Sequence, residues 1–345
     1  MFVARRFLLV FLILTLTACN IPAAVSTPTM EMEIDPTSEP ATAEPATPQP
    51  VIVTETAIPT PQPVPATETA IPAPPTSALL TLAQLKNAGV QINGISPDAA
   101  KPRTVKLSDG RFESGSDRAS ADYVSVSMGE QVAYGDLNGD GLQDAAIIIG
   151  ENYGGTGSFV SVVAMLNQNG QPVFASSALV DDRPAINSLS IQNGEILLDA
   201  TIHGPNDPGC CPAQPVSESL RLWGGKLVQT RRTSKTPVGT ERVITIDSPA
   251  QNSELSGPFT VSGSVTIAPF ENSLAYSVFV EGTPDPVVQS SILVSATEMG
   301  GPGTFTVPVD LAASGITGNL RIEISDLSAA DGSYLAIATL FVTIK

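Results

Sequence analysis

Basic residues are scarce in this chain. Its 345 residues include 17 Lys and Arg against 34 Asp and Glu, which gives a formal net charge of −17 at pH 7. Nucleic acid and anionic membrane surfaces attract proteins through clustered basic side chains. The charge therefore argues against both as partners. An acidic surface suits divalent cations and a protein that works outside the cytoplasm.

Histidine is nearly absent, which narrows the possible catalytic chemistry. His203 is the only histidine, so any Ser-His-Asp or Cys-His mechanism would have to use it. No Gly-x-Ser-x-Gly motif accompanies it, and the Gly204-Pro205 pair that follows favours a turn. Asp181 and Asp182 are adjacent, which places them on opposite faces of any strand and makes them a poor acid/base pair. The sequence therefore predicts a protein that is not an enzyme.

Tryptophan is also limited to one copy, Trp223. It stands directly before Gly224-Gly225, a pair typical of a tight turn. We interpret Trp223 as part of the core or of the turn packing rather than as a platform for a sugar.

The first residues have the features of a secretory signal. Arg5 and Arg6 precede an apolar run from Phe7 to Leu16, which is too short to cross a bilayer comfortably. The run ends in Leu16-Thr17-Ala18-Cys19, which resembles the bacterial lipobox. The resemblance implies cleavage before Cys19, acylation of its thiol, and attachment to the lipid bilayer through that residue. The predicted lipoprotein signal peptide is therefore residues 1–18. The alternative is an ordinary signal peptide cleaved nearby, with Cys19 incidental.

Residues 19–78 lack the composition of a folded domain. From Asn20 to Ser77 the chain is mostly Pro, Thr, Ala, Glu and Val, without Lys or Arg, and the segment Thr54–Pro59 recurs at Thr67–Pro72. Such a stretch cannot bury a core, so we expect a disordered, extended tether.

The rest of the chain predicts an all-β fold in two β domains after the tether. A short helix is expected at 79–87, with Leu82 and Leu85 on one face. Turn pairs then divide β-branched or alternating segments, which favours one antiparallel β domain over residues 79–232. These pairs are Asp109-Gly110, Asn169-Gly170, Asn193-Gly194 and Gly224-Gly225.

Residues 243–345 follow a polar bridge at 231–241 and have the strand spacing of a β-sandwich. Four short segments in this order resemble the immunoglobulin-like domain of bacterial spore germination proteins. The resemblance implies an immunoglobulin-like sandwich in an envelope protein, with no assigned catalysis. The segments are Ile246–Pro249, Val261–Val265, Gly303-Thr304-Phe305 and Asp331-Gly332-Ser333.

The sharpest local signal for chemistry is the segment from Asp136 to Asp144. Oxygen-bearing side chains fall at loop positions 1, 3, 5 and 9, a glycine at position 6 permits the sharp turn, and the carbonyl at position 7 adds a further oxygen. Position 12 is Ile147 where an EF-hand has Glu, and the flanks are strand-like. The loop instead resembles the calcium loops of FG-GAP and VCBS repeats, which implies a structural calcium. The ligand positions are Asp136, Asn138, Asp140, Leu142 and Asp144.

Only one copy of that repeat is present, so a propeller is not implied. A metal-free Asn-Gly or Asp-Gly turn is the alternative for this loop. Three converging carboxylates without a cation would, however, repel one another.

A second unusual segment runs from His203 to Pro212 and contains the adjacent Cys210 and Cys211. With the hairpins and the calcium-like loop, it resembles a domain that recurs in bacterial lipoproteins, and that resemblance supplies no activity. An oxidising compartment permits a disulfide between the two neighbours. Free or intermolecular thiols, and a soft-metal site with His203, are the other interpretations.

These features favour an extracytoplasmic, lipid-anchored binding or interaction module of the bacterial cell envelope, whose partner is an envelope protein or a glycan. Two alternatives from other classes are an enzyme acting on envelope glycans or peptidoglycan and a purely structural spacer. The fold class alone does not choose among them.

Overall fold

The computed structural model describes residues 78–92, 102–311 and 314–345. The predicted signal peptide at 1–18, the predicted acylation site Cys19, and the tether up to residue 77 lie outside these residues. No helix in the described segments is long and apolar enough to cross a membrane.

The described chain begins with one short helix, α1 (Leu82–Leu85), which is shorter than the helix expected at 79–87. Thr81 and Gln84 form a capping box, in which each residue bonds the other's backbone N–H group. Leu85 is fully buried, whereas Leu82 is 47% exposed. Leu82 and Leu85 are three positions apart in this single turn, and only Leu85 belongs to the core.

Eleven strands follow in the described part of the middle region, and each pairs with a neighbour in sequence. They are β1 (Gly89–Ile92), β2 (Arg103–Lys106), β3 (Arg111–Ser114), β4 (Val124–Gly135), β5 (Asp144–Asn152), β6 (Phe159–Gln168), β7 (Gln171–Asp182), β8 (Ala185–Gln192), β9 (Glu195–Ile202), β10 (Gln214–Trp223) and β11 (Lys226–Lys235).

The middle region has three layers rather than a single sheet. The hairpin β1-β2 and α1 cover one face of the five-stranded sheet β3-β4-β5-β6-β7, and the strands β8 to β11 cover the other. Strand β5 is therefore buried on both sides, with Ile147 and Ile149 in one core and Ile148 in the other. This burial explains why its sequence is a continuous apolar run without polar alternation.

The four turn pairs have the backbone that tight turns require. At Asn193 and Gly194 the φ angles are 52° and 78°, the left-handed region that Asn and Gly tolerate best. Three of the pairs join strands that are hydrogen-bonded to each other, namely β6-β7, β8-β9 and β10-β11. The fourth, Asp109-Gly110, closes a single bridge between Ser108 and Arg111.

Nine further strands complete the described part of the chain, and seven of them form the sandwich described next. They are β12 (Glu241–Arg242), β13 (Ile244–Ser248), β14 (Ser253–Leu255), β15 (Phe259–Val265), β16 (Ser273–Val280), β17 (Val288–Ala296), β18 (Gly303–Val309), β19 (Gly318–Leu327) and β20 (Tyr334–Ile344).

The C-terminal region is an immunoglobulin-like sandwich. Strands β13, β15 and β18 pair in one sheet, and β16, β19 and β20 in the other. Strand β17 pairs with β16 along its first part and with β18 at its end, so it joins the two sheets. The core between them contains Val261, Phe305 and Ile322, which are at most 2% exposed.

The polar segment at 231–241, expected to be a bridge between domains, is mostly strand. Strand β11 continues to Lys235, and β12 pairs back onto it after a short turn. Arg231 and Arg232 of β11 also pair with Ala338 and Ile337 of β20. A continuous set of paired strands therefore runs from the middle region into the sandwich.

Two buried ion pairs reinforce this junction. Arg232 contacts the Glu218 carboxylate at 2.5 Å and donates to the Tyr334 carbonyl at 3.1 Å. Arg242 contacts the Asp326 carboxylate at 2.8 Å. Within 231–241, Thr233 and Ser234 are buried at this junction, whereas most of the other residues, including 237–241, are exposed.

Candidate functional site

The segment from Asp136 to Asp144 forms a compact loop between β4 and β5. Gly139 and Gly141 both have φ of 80°, which L-residues with side chains rarely adopt. These two positions fold the loop back so that polar side chains turn toward its own backbone. The sequence places glycine at both.

Backbone N–H groups orient the loop's oxygen atoms. Asp136 accepts hydrogen bonds from the N–H groups of Gly139 at 2.7 Å and Gly141 at 2.8 Å. Asn138 Oδ1 accepts from the Asp140 N–H at 3.1 Å, and Asp140 accepts from the Leu142 N–H at 2.8 Å. The three side chains are thus held on the inner side of the turn.

Asp144 has a different role, because it is fully buried. One carboxylate oxygen accepts from the Leu137 N–H at 2.9 Å and the other from the Asn167 N–H at 2.8 Å. Burial raises the pKa of Asp144, these two hydrogen bonds lower it, and the charges of Asp140 and Asp136 raise it further. Asp144 therefore fastens the loop to strand β6. It also lies close enough to Asp136 and Asp140 for their charges to raise its pKa.

The donor set of the loop fits a hard cation in its chemistry, since every candidate ligand is an oxygen atom. Each Asp144 oxygen uses one lone pair for an N–H group and retains another. Within the described residues, however, no group of three or more His, Cys, Asp or Glu side chains is gathered closely enough to hold a metal ion. The amide of Asn138 and the Leu142 carbonyl would have to complete the shell.

The second candidate segment is the loop between β9 and β10. Cys210 and Cys211 are joined there in a vicinal disulfide, and both residues are exposed. With both sulfur atoms in the bridge, neither is a thiolate that could bind a soft metal together with His203.

Hydrogen bonds give this cysteine loop a defined conformation. The Asp207 carboxylate accepts from the N–H groups of Gly204 and Ala213, both at 2.8 Å, and these bonds lower the pKa of Asp207. Arg183 donates to the Gly209 carbonyl and pairs with Asp182 at 2.6 Å.

His203 is held at the base of the same loop. Its Nδ1 atom lies 2.8 Å from the Asp181 carboxylate, which also accepts the His203 backbone N–H. Its Nε2 atom is buried without a hydrogen-bond partner. Within the described part of the chain, no serine or threonine hydroxyl bonds to the ring, so the pair does not extend into a triad.

The two candidate segments lie at opposite ends of the β6-β7 hairpin. Asn167, which fastens the calcium-like loop, is near the end of β6 and pairs with Pro172. Asp182, beside the cysteine loop, pairs with Phe159 at the start of β6. The ten residues of β6 separate them by about 30 Å. The structure therefore does not combine them into one site.

Sequence reasoning missed the residues that fasten each segment. Asn167 and Asp181 lie in other strands, and strand pairing alone brings them to their partners. Asn167 precedes the predicted Asn169-Gly170 turn and accepts the Gly170 N–H at 2.8 Å. That short-range pattern is the only local signal that could have marked it.

Fold and sites together define an all-β segment whose C-terminal part is an immunoglobulin-like module, a kind of domain that is typically non-catalytic. Residues 243–333 match the family model described as the immunoglobulin-like domain of bacterial spore germination. The resemblance seen in the C-terminal sequence is confirmed by this match. No curated protein matches the chain.

Proposed function

We propose that this chain is a lipid-anchored, non-catalytic binding module of the bacterial cell envelope, whose middle domain contains a structural calcium ion. The observation that carries the binding role is the C-terminal module, which matches an immunoglobulin-like domain of bacterial spore germination. Domains of this architecture serve recognition in many extracellular proteins. The anchor follows from the order of cationic start, apolar run and Cys19 in the sequence.

Calcium is supported by the way the loop backbone orients its oxygen atoms. Asp136, Asn138, Asp140 and Asp144 would supply side-chain oxygens, and Leu142 its carbonyl. Burial, together with the charges of Asp140 and Asp136, raises the pKa of Asp144, and a divalent cation there would offset both effects. The loop closes a strand pair and touches no catalytic group, so the ion would be structural.

Acylation is tested by replacing the modified residue. The wild-type chain is expected to enter the membrane fraction and to incorporate a labelled fatty acid. Cys19→Ser is expected to do neither, whereas a double Cys210→Ser, Cys211→Ser variant is expected to behave as wild type. Incorporation of label by Cys19→Ser would contradict the anchor.

The binding role is tested by immobilising the purified protein and passing envelope extracts over it. Retention of a partner that is lost on denaturing the protein supports a binding module. A hydrolytic activity on peptidoglycan that is abolished by changing one Asp or Glu would replace the proposal with the enzyme alternative.

A further inference from the structure

A groove of about 220 Å³ lies where the tip of the β10-β11 hairpin meets the outer faces of β19 and β20. We propose that this groove binds a neutral saccharide. The inference rests on the binding role proposed above and names the ligand class for one site. Six residues carry the argument: Arg221, Trp223, Asn252, Asn319, Phe341 and Thr343.

The hairpin tip is fixed against the sandwich, so the groove has a defined wall. A Cβ atom placed on Gly224 would lie only 2.9 Å from the backbone nitrogen of Gly282, in the loop after β16. No residue with a side chain could bring the hairpin this close without a shift. The paired strands β11 and β20 hold the other end of the same hairpin.

Aromatic rings in the groove are held rigidly by their neighbours. The rings of Trp223 and Phe341 are tilted by 58° with centroids 5.9 Å apart. The Arg321 guanidinium lies 3.9 Å from the Phe279 ring and 5.8 Å from the Trp223 ring, and it pairs with Glu323 at 2.6 Å. Trp223 stays partly exposed, whereas Phe341 is only 7% exposed and supports the Trp223 ring. A preordered aromatic surface of this kind binds the C–H faces of a ligand at little cost in side-chain entropy.

Polar groups with both donors and acceptors surround the rings. Thr343 donates to Asn319 Oδ1 at 2.9 Å, and the Asn319 amide donates to Glu281 at 2.8 Å, which fixes the orientation of that amide. The Asn252 side chain is exposed, and among the described residues it has no hydrogen-bond partner. Hydroxyl groups of a ligand need such mixed donors and acceptors.

The cation in the groove is also positioned for hydrogen bonding. The Arg221 guanidinium lies 5.1 Å from the centroid of the Phe341 ring. None of the ion pairs in the described part of the chain includes Arg221. Its N–H edges are therefore available to ligand oxygen atoms.

Charge and strand pairing argue against other occupants. A polyanion would be repelled by a chain whose net charge is −17. A peptide added as an extra strand needs an open sheet edge. Strand β20 pairs with β19 on one side and with β11 and β14 on the other, and β10 lies between β9 and β11. With a polyanion and an added peptide strand excluded, a neutral ligand with hydroxyl groups and apolar faces fits the groove.

Trp223 is the only tryptophan, so the intrinsic tryptophan emission of the full-length protein reports on this groove alone. The probes are two β-1,4-linked tetrasaccharides, one of N-acetylglucosamine and one of glucose, titrated into the millimolar range. At least one is expected to change the emission saturably. Arg221→Ala and Asn319→Ala should each weaken that binding about tenfold. Asn206→Ala, in the cysteine loop, is the matched control and should bind as wild type.

Two further readouts keep the test decisive. Trp223→Phe removes the emission signal, so its binding is followed by calorimetry and is expected to be weaker than that of wild type. An unchanged melting midpoint shows that each variant is folded. The inference is overturned if neither tetrasaccharide binds or if both groove variants bind as wild type. Retention of an envelope partner in that case would leave the proposed binding role in place and remove only the saccharide.

Discussion

Asp144 at the start of β5 accepts the backbone N–H of Asn167 near the end of β6, with 2.8 Å between the two heavy atoms. The two residues are 23 positions apart in sequence. This bond and the one from Leu137 place both oxygens of a buried carboxylate on backbone donors. Asp144 therefore ties the candidate calcium loop to the central sheet even without a metal ion.

Replacing Asp144 by Ala should destabilise the protein in chelator. The change leaves the N–H groups of Leu137 and Asn167 buried without acceptors, and each such group costs about 1–3 kcal/mol. The expected loss in free energy of unfolding is thus about 2–6 kcal/mol, measured by chemical denaturation. Asp247→Ala, an exposed control, should change it by less than about 0.5 kcal/mol. Equal values for the two variants would contradict the fastening role.

The difference in burial between two ion pairs predicts that two Glu-to-Ala changes differ strongly in their effect on stability. Glu323 pairs with Arg321, and both side chains are 9% exposed, whereas Glu254 pairs with Lys345 at more than 60% exposure. Glu323→Ala leaves the buried Arg321 guanidinium without its carboxylate partner, so it should lower the free energy of unfolding by about 3–5 kcal/mol. Glu254→Ala should cost at most about 1 kcal/mol. Denaturant titrations of both variants test this order, and a reversed or equal order would refute it.

Asp326 predicts a specific dependence of stability on pH. Burial raises the pKa of Asp326 above its ordinary value of 3.8, despite the pairing with Arg242. The native state then binds more protons than the unfolded state between the two pKa values, so the contribution of Asp326 to stability falls as pH rises above about 4. Asp326→Asn cannot ionise. The stability advantage of wild type over this variant should therefore shrink with rising pH and then level off. An advantage that grows with pH would show that the pKa is lowered instead.

The cysteine loop predicts the outcome of thiol labelling. Cys210 and Cys211 are exposed, so free thiols there would react readily with iodoacetamide. Because the two sulfur atoms are joined in the structure, the peptide containing them should carry no label without reductant and two labels after reduction. Mass spectrometry of that peptide distinguishes the cases. Two labels without reductant would show that the thiols are free.

The fold was predictable where the signal is local. Turn pairs such as Asn193-Gly194 need a backbone that few residues adopt, and sandwich strands such as β15 and β16 alternate between more and less buried positions. The strand pairing of the segment at 231–241 was not predictable, because Arg231 and Arg232 pair with Ala338 and Ile337 of β20, which are distant in sequence. No local pattern encodes such a pairing.

The candidate sites, too, were predictable only where consecutive residues form them. The calcium-like loop follows from consecutive residues, since its hydrogen bonds join positions two to seven apart, and only its link to Asn167 depends on the sheet. Trp223 was interpreted from its Gly-Gly neighbour as packing in a turn. It does pack, against Phe341 and Arg321, but those partners lie on strands of the other domain. The groove beside Trp223 could therefore not be predicted from the sequence.

The most direct test of the account is a thermal melt of the purified protein with calcium and with chelator. The parent, Asp140→Ala and the exposed control Asp285→Ala are compared. A site in the loop stabilises the native state by about 2.7 kcal/mol when calcium is at 100 times its dissociation constant. Calcium should raise the midpoint of the parent and of Asp285→Ala but not that of Asp140→Ala. Coincident curves for the parent with and without calcium would show that Asp136–Asp144 is a metal-free turn and would contradict the structural calcium.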